Sequence, residues 1–88
     1  MAHVHIPALL RTATEGREWV EVAGAATVRD VVRTLEEQYP EIRGKLVREG
    51  RLSAGFAVAI DGEISSLGLG ESVDAGTEVQ FLTAIQGG

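Results

Sequence analysis

The stretch of sequence that decides the fold is Thr27-Val28-Arg29-Asp30-Val31-Val32-Arg33-Thr34-Leu35-Glu36-Glu37-Gln38-Tyr39-Pro40. Its apolar residues recur at three- and four-residue spacing, and most of the positions between them are charged or polar. This pattern predicts an amphipathic helix with one apolar stripe and one face in water. Thr27 has the character of an N-cap, and Asp30 stands three residues later, as in a capping box. Pro40 ends the helix, because the residue before a proline avoids helical backbone angles.

Alternating apolar residues before this helix predict two strands. Val4 and Ile6 alternate with histidines, and Pro7 helps to end that run. Val20 and Val22 share one face of a second run. A polar turn separates the two runs, so they are predicted to pair as a β-hairpin.

Three further strands are predicted after the helix. Residues 56–60 alternate large apolar residues with alanine, and Asp61-Gly62 is a strong two-residue turn signal that leads into a short return strand at 63–64. Residues 78–82 form the last strand, with Val79 and Phe81 pointing inward.

Between the helix and these strands, residues 41–52 are predicted to form a short second helix or an irregular turn. The order of elements is therefore β-β-α-(short helix)-β-β-β. One helix with a single apolar stripe needs a sheet to cover it, which predicts an α+β domain of two layers. We expect this domain to span residues 1–82 and to be followed by a flexible C-terminal tail at 83–88.

Composition limits the classes of function. The chain has 88 residues, enough for one domain, and a net charge of -5 with its few cations scattered along the sequence, which argues against nucleic acid. It contains no cysteine, so it forms no disulfide and offers no thiol. No signal peptide and no apolar run of about 20 residues are evident, so we expect a cytoplasmic protein without a membrane segment.

Other side chains give weak signals of chemistry. His3 and His5 share one face of a strand, as two metal ligands would, but no third ligand is evident and we expect no metal site. Ser65 and Ser66 have no recognisable base partner. An autonomous hydrolase or transferase is therefore not expected.

Several strings of residues, in their order along the chain, resemble the ubiquitin-like sulfur carriers of the MoaD/ThiS family. The first of these strings, Ile6-Pro7-Ala8-Leu9-Leu10-Arg11, is most similar to carriers that serve cysteine biosynthesis or specialised metabolism. The resemblance to the family covers essentially the whole chain. The strings are Ile6-Pro7-Ala8-Leu9-Leu10-Arg11, Thr27-Val28, Asp61-Gly62, Asp74-Ala75-Gly76-Thr77-Glu78-Val79 and Gly87-Gly88. The resemblance implies a ubiquitin-like β-grasp fold, in which a mixed sheet of four to five strands packs on one main helix.

The resemblance also implies a function for the terminal carboxylate of Gly88. In this family an activating enzyme similar to MoeB and ThiF consumes ATP to adenylate that carboxylate. A sulfur donor then converts it to a thiocarboxylate, which gives its sulfur to a biosynthetic enzyme making cysteine, a thio-sugar or another sulfur metabolite. The chain would then be a co-substrate rather than an enzyme, with no bound cofactor.

The same resemblance assigns roles to the tail. Gly87 and Gly88 have no Cβ, so they are suited to a narrow channel in a partner. Ala84, Ile85 and Gln86 belong to the arm that partner enzymes would bind. Many relatives have a proline in this arm and this chain has none, so ordering the arm in a partner would cost more.

A partner interface is predicted on the outer face of the sheet. By the alternation of the strands this face shows Pro7, Ala57, Ala59 and Leu82 beside the departing tail, and an exposed apolar patch usually marks an interface. Trp19 lies on the wrong side for the main core, and its role is left open.

Three alternatives remain open at this point. The chain is also compatible with the small subunit of molybdopterin synthase, whose tail would insert into a large subunit. It is compatible with a ubiquitin-like modifier whose Gly88 forms isopeptide bonds with lysines, because conjugation and sulfur transfer share the adenylation step. Finally, it is compatible with a passive β-grasp binding module.

Overall fold

The predicted helix is present and is capped as its sequence indicates. The computed structural model describes residues 1–83, in which helix α1 spans Val28–Gln38. The Thr27 hydroxyl accepts a hydrogen bond from the Asp30 backbone N–H at 3.3 Å. The Asp30 carboxylate in turn accepts from the backbone N–H groups of Ala26 at 3.0 Å and Thr27 at 3.2 Å. The capping box is confirmed.

This cap also changes the acidity of Asp30. The N–H of Ala26 stabilises the ionised carboxylate most, and the Thr27 groups and the Arg33 guanidinium add to it. Together they hold the pKa of Asp30 below its usual value, against a smaller opposing effect of desolvation. The negative charge also lies at the positive end of the helix dipole.

Five strands form one mixed sheet within residues 1–83, in the order β2-β1-β7-β5-β6. The predicted hairpin of β1 and β2 is confirmed by antiparallel pairing from Ala2↔Val22 to His5↔Trp19. The strands of this sheet are β1 (Ala2–His5), β2 (Trp19–Val22), β5 (Phe56–Ile60), β6 (Glu63–Ile64) and β7 (Glu78–Thr83). The ubiquitin-like β-grasp fold is thus confirmed, and β7 runs one residue beyond the predicted end of the domain.

The turn between β5 and β6 forms as predicted. Asp61 and Gly62 both have positive φ angles, 50° and 89°, as a two-residue hairpin turn of this kind requires. The Asp61 carboxylate accepts a hydrogen bond from the Glu78 backbone N–H at 2.9 Å, and this contact joins the turn to the start of β7.

Residues 41–52 differ in part from the prediction. A 3₁₀ turn at Pro40–Ile42 corresponds to the irregular turn that was the alternative to a second helix. The small antiparallel hairpin of β3 (Val47–Arg48) and β4 (Arg51–Leu52) that follows it was not predicted. Glu49 and Gly50 form the turn of this hairpin with φ angles of 54° and 77°. Leu46 is fully buried ahead of β3, so the hairpin is anchored to the core.

The core lies between α1 and the inner face of the sheet. Helix α1 buries four residues of its apolar stripe, and Tyr39 at its end is partly buried against them. The most deeply buried apolar side chains are Val4, Ile6, Val22, Val28, Val31, Leu35, Ile42, Leu46, Val58, Val79 and Phe81. No helix in the described part of the chain is long and apolar enough to cross a membrane.

Candidate functional site

Strand β7, which ends at Thr83, the root of the C-terminal tail, lies between two other strands. β7 pairs in parallel with β1 on one side, and antiparallel with β5 on the other. Because β1 and β7 run in the same direction, the end of β1 at His5 lies at the same end of the sheet as Thr83. Phe56, which begins β5, is paired directly with Thr83. The chain beyond Thr83 therefore departs from this end.

The residues predicted to react or to be bound in the tail are Ala84, Ile85, Gln86, Gly87 and Gly88. All five lie outside the described residues. Their roles, and the tail as a separate flexible segment, stay predictions.

The structure brings together only some of the residues that were predicted to form an interface on the outer face of the sheet. Ala57 and Leu82 are directly opposite each other on β5 and β7 and are both half-buried. Ala59 is only 3% exposed, although it does not belong to the core cluster. It is paired with Gln80 on one side and with Ile64 on the other, and these longer side chains share its face and cover it.

The expectation that Pro7 and Ala59 form part of an exposed patch is therefore wrong. Pro7 is buried. Strand β1 ends at His5, so the alternation of faces does not continue to Pro7, which instead begins a 3₁₀ turn at Ala8–Leu10. Ile64, which is 65% exposed and beside Ala59, supplies an apolar surface that the sequence reasoning missed. A role of this face in binding partners stays a prediction.

A cluster of polar side chains lies on the outer face near the tail root. Nε2 of His5 lies 3.1 Å from Oε2 of Glu18 and 3.4 Å from a terminal nitrogen of Arg11. The Arg11 Nε–H donates to the Ile6 carbonyl at 3.0 Å, which fixes the guanidinium beside β1. Trp19 packs edge-on against the His5 ring with centroids 4.8 Å apart, and it is 43% exposed.

These contacts give the two histidines and Trp19 structural partners. His3 faces Glu21 at 3.5 Å across the β1–β2 pair, and His5 faces Glu18, the residue just before β2. Within residues 1–83, no group of three His, Asp or Glu side chains has the arrangement of a metal site. Ser65 donates a hydrogen bond to the Glu71 carboxylate at 2.6 Å and accepts one from the Leu67 backbone N–H at 3.0 Å, which is a loop-stabilising arrangement.

One groove near the tail root was not anticipated from the sequence. It has a volume of about 670 Å³ and lies between the loop after β1 and the chain around β3. We call it the basic groove and define it by Leu9, Arg43, Lys45, Arg48, Ser53 and Phe56. The interpretation that the cations are scattered is wrong for Arg43, Lys45 and Arg48, because they are close together in the sequence and the fold places them around one opening.

The sequence matches the model of the ThiS family over residues 4–88. This range takes in every strand from β2 to β7, α1 and the second half of β1, and it extends to the terminal glycine. No curated protein sequence gives a significant match.

Solved structures with the same fold match the chain over nearly its whole length. A chain of the BexX/CysO complex from Amycolatopsis orientalis has a TM-score of 0.90 and 33% identity, with 100% of both chains covered. CysO from Mycobacterium tuberculosis has a TM-score of 0.86 and 29% identity, covering 97% of this chain and 100% of that one. The H. volcanii small archaeal modifier protein 1 has a TM-score of 0.76 and 27% identity, covering 96% of this chain and 97% of that one.

Proposed function

Because this chain belongs to the ThiS family of small ubiquitin-like sulfur carriers, we propose that it carries sulfur as a thiocarboxylate on Gly88. The observation that supports this proposal most directly is the extent of the family match, which runs to residue 88 and so includes Gly87-Gly88. The strand that precedes them, β7, is held between β1 and β5 and provides a rigid base.

The proposed chemistry begins with activation of the terminal carboxylate. A carboxylate resists nucleophilic attack because oxide is a very poor leaving group. An activating enzyme similar to MoeB and ThiF would let a carboxylate oxygen of Gly88 attack the α-phosphorus of ATP, releasing pyrophosphate and forming an acyl adenylate. Sulfide would then attack the acyl carbon, displace AMP and lose its proton, which leaves the thiocarboxylate. The ATP is consumed at the partner, so this chain needs no bound cofactor.

The properties of the tail suit this chemistry. A free α-carboxyl has a pKa of about 3.3–3.7 and is ionised at neutral pH, ready to attack phosphorus. Five residues follow Thr83. When fully extended, five residues span at most about 18 Å, which is long enough to enter the active site of another protein. Glycine at both last positions adds no side chain that would obstruct a narrow channel.

We propose a biosynthetic enzyme as the sulfur acceptor. The support is the likeness to CysO of M. tuberculosis and to the chain from the A. orientalis BexX/CysO complex, whose name records an assembly with a second protein. The chain would act in the cytoplasm, where ATP is available, as a co-substrate of its partners rather than as a catalyst. The outer face around Ala57 and Leu82 is proposed to contact those partners.

A second candidate function is protein modification. It is favoured by the likeness to the small archaeal modifier protein of H. volcanii at 27% identity. In this role Gly88 would be attacked by a lysine amine after adenylation, and an isopeptide bond would replace the thiocarboxylate. Both functions use the same activated carboxylate, so only the product distinguishes them.

Intact-mass spectrometry tests the proposal. The chain is incubated with an activating enzyme, ATP and sulfide, and the expected product is heavier by the difference between one sulfur and one oxygen atom. Adducts with other proteins would favour modification instead. An unchanged mass with activating enzymes that thiolate other carriers of the family would contradict the proposal.

Two variants serve as controls for this experiment. Removal of Gly87 and Gly88 is expected to abolish the mass change while leaving the circular dichroism spectrum and melting temperature unchanged, because the core is complete by Phe81. Gly70→Ala is expected to react normally, since a Cβ at this position meets no atom within 4 Å and Gly70 has no positive φ angle.

A further inference from the structure

We propose that the basic groove binds an acidic segment of a partner protein, in which glutamate or aspartate residues stand beside apolar ones. The further statement that the same partner also binds the tail rests on the proposed function. The binding of the acidic segment itself follows from the charge, the exposed apolar surface and the position of the groove.

The charge of the groove is opposite to that of the whole protein. Four of the eight Lys and Arg residues fall between residues 43 and 51, where Glu49 is the single acidic residue, whereas the net charge is -5. Within residues 1–83, no carboxylate lies within 4.0 Å of Arg43, Lys45 or Arg48, although Arg11 and Arg33 each have such a partner. The three groove cations are therefore available to carboxylates from outside.

The hairpin beside the groove keeps like charges close together. Arg48 and Arg51 are direct cross-strand partners in β3 and β4. Like charges in this arrangement destabilise a strand pair. Nε of Arg48 donates to the Gly44 carbonyl at 3.2 Å, which ties its guanidinium to the loop that lines the groove. Carboxylates of a bound segment would offset this repulsion.

The apolar part of the groove favours a peptide over a small anion. Leu9 is 70% exposed, and Phe56 is half-buried in the groove wall. Ser53 is also in this wall, and its hydroxyl is buried without a hydrogen-bond partner among the described residues. An unpaired buried hydroxyl is unfavourable. After rotation about its Cα–Cβ bond, the hydroxyl would pair with a backbone group of a bound segment.

The position of the groove connects it to the reactive end of the chain. Phe56 is part of the groove and is paired with Thr83, the last described residue before the tail. A partner held by the groove would therefore have the tail within reach, and the tail would enter its active site at a raised effective concentration. The groove would contribute affinity that the tail alone lacks.

Nuclear magnetic resonance tests this proposal without ATP, sulfur or an activating enzyme. The probe is a synthetic peptide that alternates glutamate and leucine, added to the ¹⁵N-labelled full chain. We expect the peptide to change the chemical shifts of the backbone amides around Leu9, Lys45 and Ser53. These changes should become smaller at high salt, because exposed charges are screened. Lys45→Glu is expected to weaken binding about tenfold. Arg29→Glu, the same charge change at an exposed position of α1 outside the groove, is expected to leave it unchanged.

Other probes decide against the proposal. It is overturned if a peptide alternating glutamine and leucine binds equally well, or if pyrophosphate or a single-stranded RNA shifts the same amides at lower concentration. Shifts that map elsewhere, or none with about 1 mM peptide, overturn it too. The two experiments are independent, because peptide binding involves no activation step. If the peptide does not bind, the mass-spectrometry result for Gly88 is unaffected. If no thiocarboxylate forms, the binding of the peptide to the basic groove is unaffected.

Discussion

Phe81 is expected to be the largest single contributor to the stability of the strand that carries the tail. It is 1% exposed, lies opposite Val58 on the inner face, and belongs to the central core cluster. Truncating a buried phenylalanine to alanine typically costs about 3–5 kcal/mol, which combines lost transfer free energy with the cavity left behind. A domain of this size has a free energy of unfolding of roughly 4–13 kcal/mol. Phe81→Ala should therefore remove about a quarter or more of the total.

Urea unfolding measures this loss. Trp19 is the only tryptophan and contacts His5 across the β1–β2 pair, so its fluorescence reports on the sheet, and circular dichroism reports on α1. With a slope of about 1–2 kcal/mol/M, a loss of about 3–5 kcal/mol should lower the midpoint by roughly 1.5–5 M. Leu82→Ala, at the next position on the half-buried outer face, should cost only about 1 kcal/mol. A loss below about 1.5 kcal/mol for Phe81→Ala, with an unchanged slope, would refute the assignment of Phe81 to the core.

Four further predictions concern the cap, the turn and the outer face, two of them at the cap. Thr27→Ala should lower the free energy of unfolding by about 1 kcal/mol in urea, because it removes the N-cap acceptor. Because folding lowers the pKa of Asp30, its ionised carboxylate stabilises the folded state above pH 3.8, and this stabilisation is lost as the pH falls through the pKa of the folded state. The difference in free energy of unfolding between the unmodified chain and Asp30→Asn should therefore shrink when urea unfolding is measured in acid. Gly62→Ala should cost about 1–2 kcal/mol because Gly62 has a φ angle of 89°, whereas Gly70→Ala should be nearly neutral by the same assay. Ala57→Arg should leave folding intact but lower kcat/KM for adenylation by roughly tenfold or more, and an unchanged value would exclude this face from the partner interface.

The parts of the fold that were predictable are those set by local signals. The helical stripe and the Thr27–Asp30 cap act within a few residues of each other, so the sequence pattern determines them directly. Asp61-Gly62 is a turn whose residues tolerate positive φ angles, and the alternation in β5 and β7 correctly assigns Val58, Val79 and Phe81 to the inner face.

The parts that were missed depend on weak or distant signals. Strands β3 and β4 have two residues each, too few for an alternation of apolar and polar residues to show. Glu49, in the turn between them, is an unusual residue for a φ angle of 54°, so the turn gave no signal either. The basic groove brings Leu9 together with residues from 43 to 56, which are more than 30 positions away along the chain. Ala59 is hidden by Gln80 and Ile64 on neighbouring strands, and no pattern within β5 alone reveals that cover.

The parallel pairing of β1 and β7 has a mechanical consequence. A partner that draws in the tail applies its force at Thr83, along the axis of β7. The hydrogen bonds to β1 and β5 lie across that axis, so they bear the load together as a shear clamp and do not open one after another like a zipper. We therefore expect the domain to stay folded when a pulling force is applied to the end of β7.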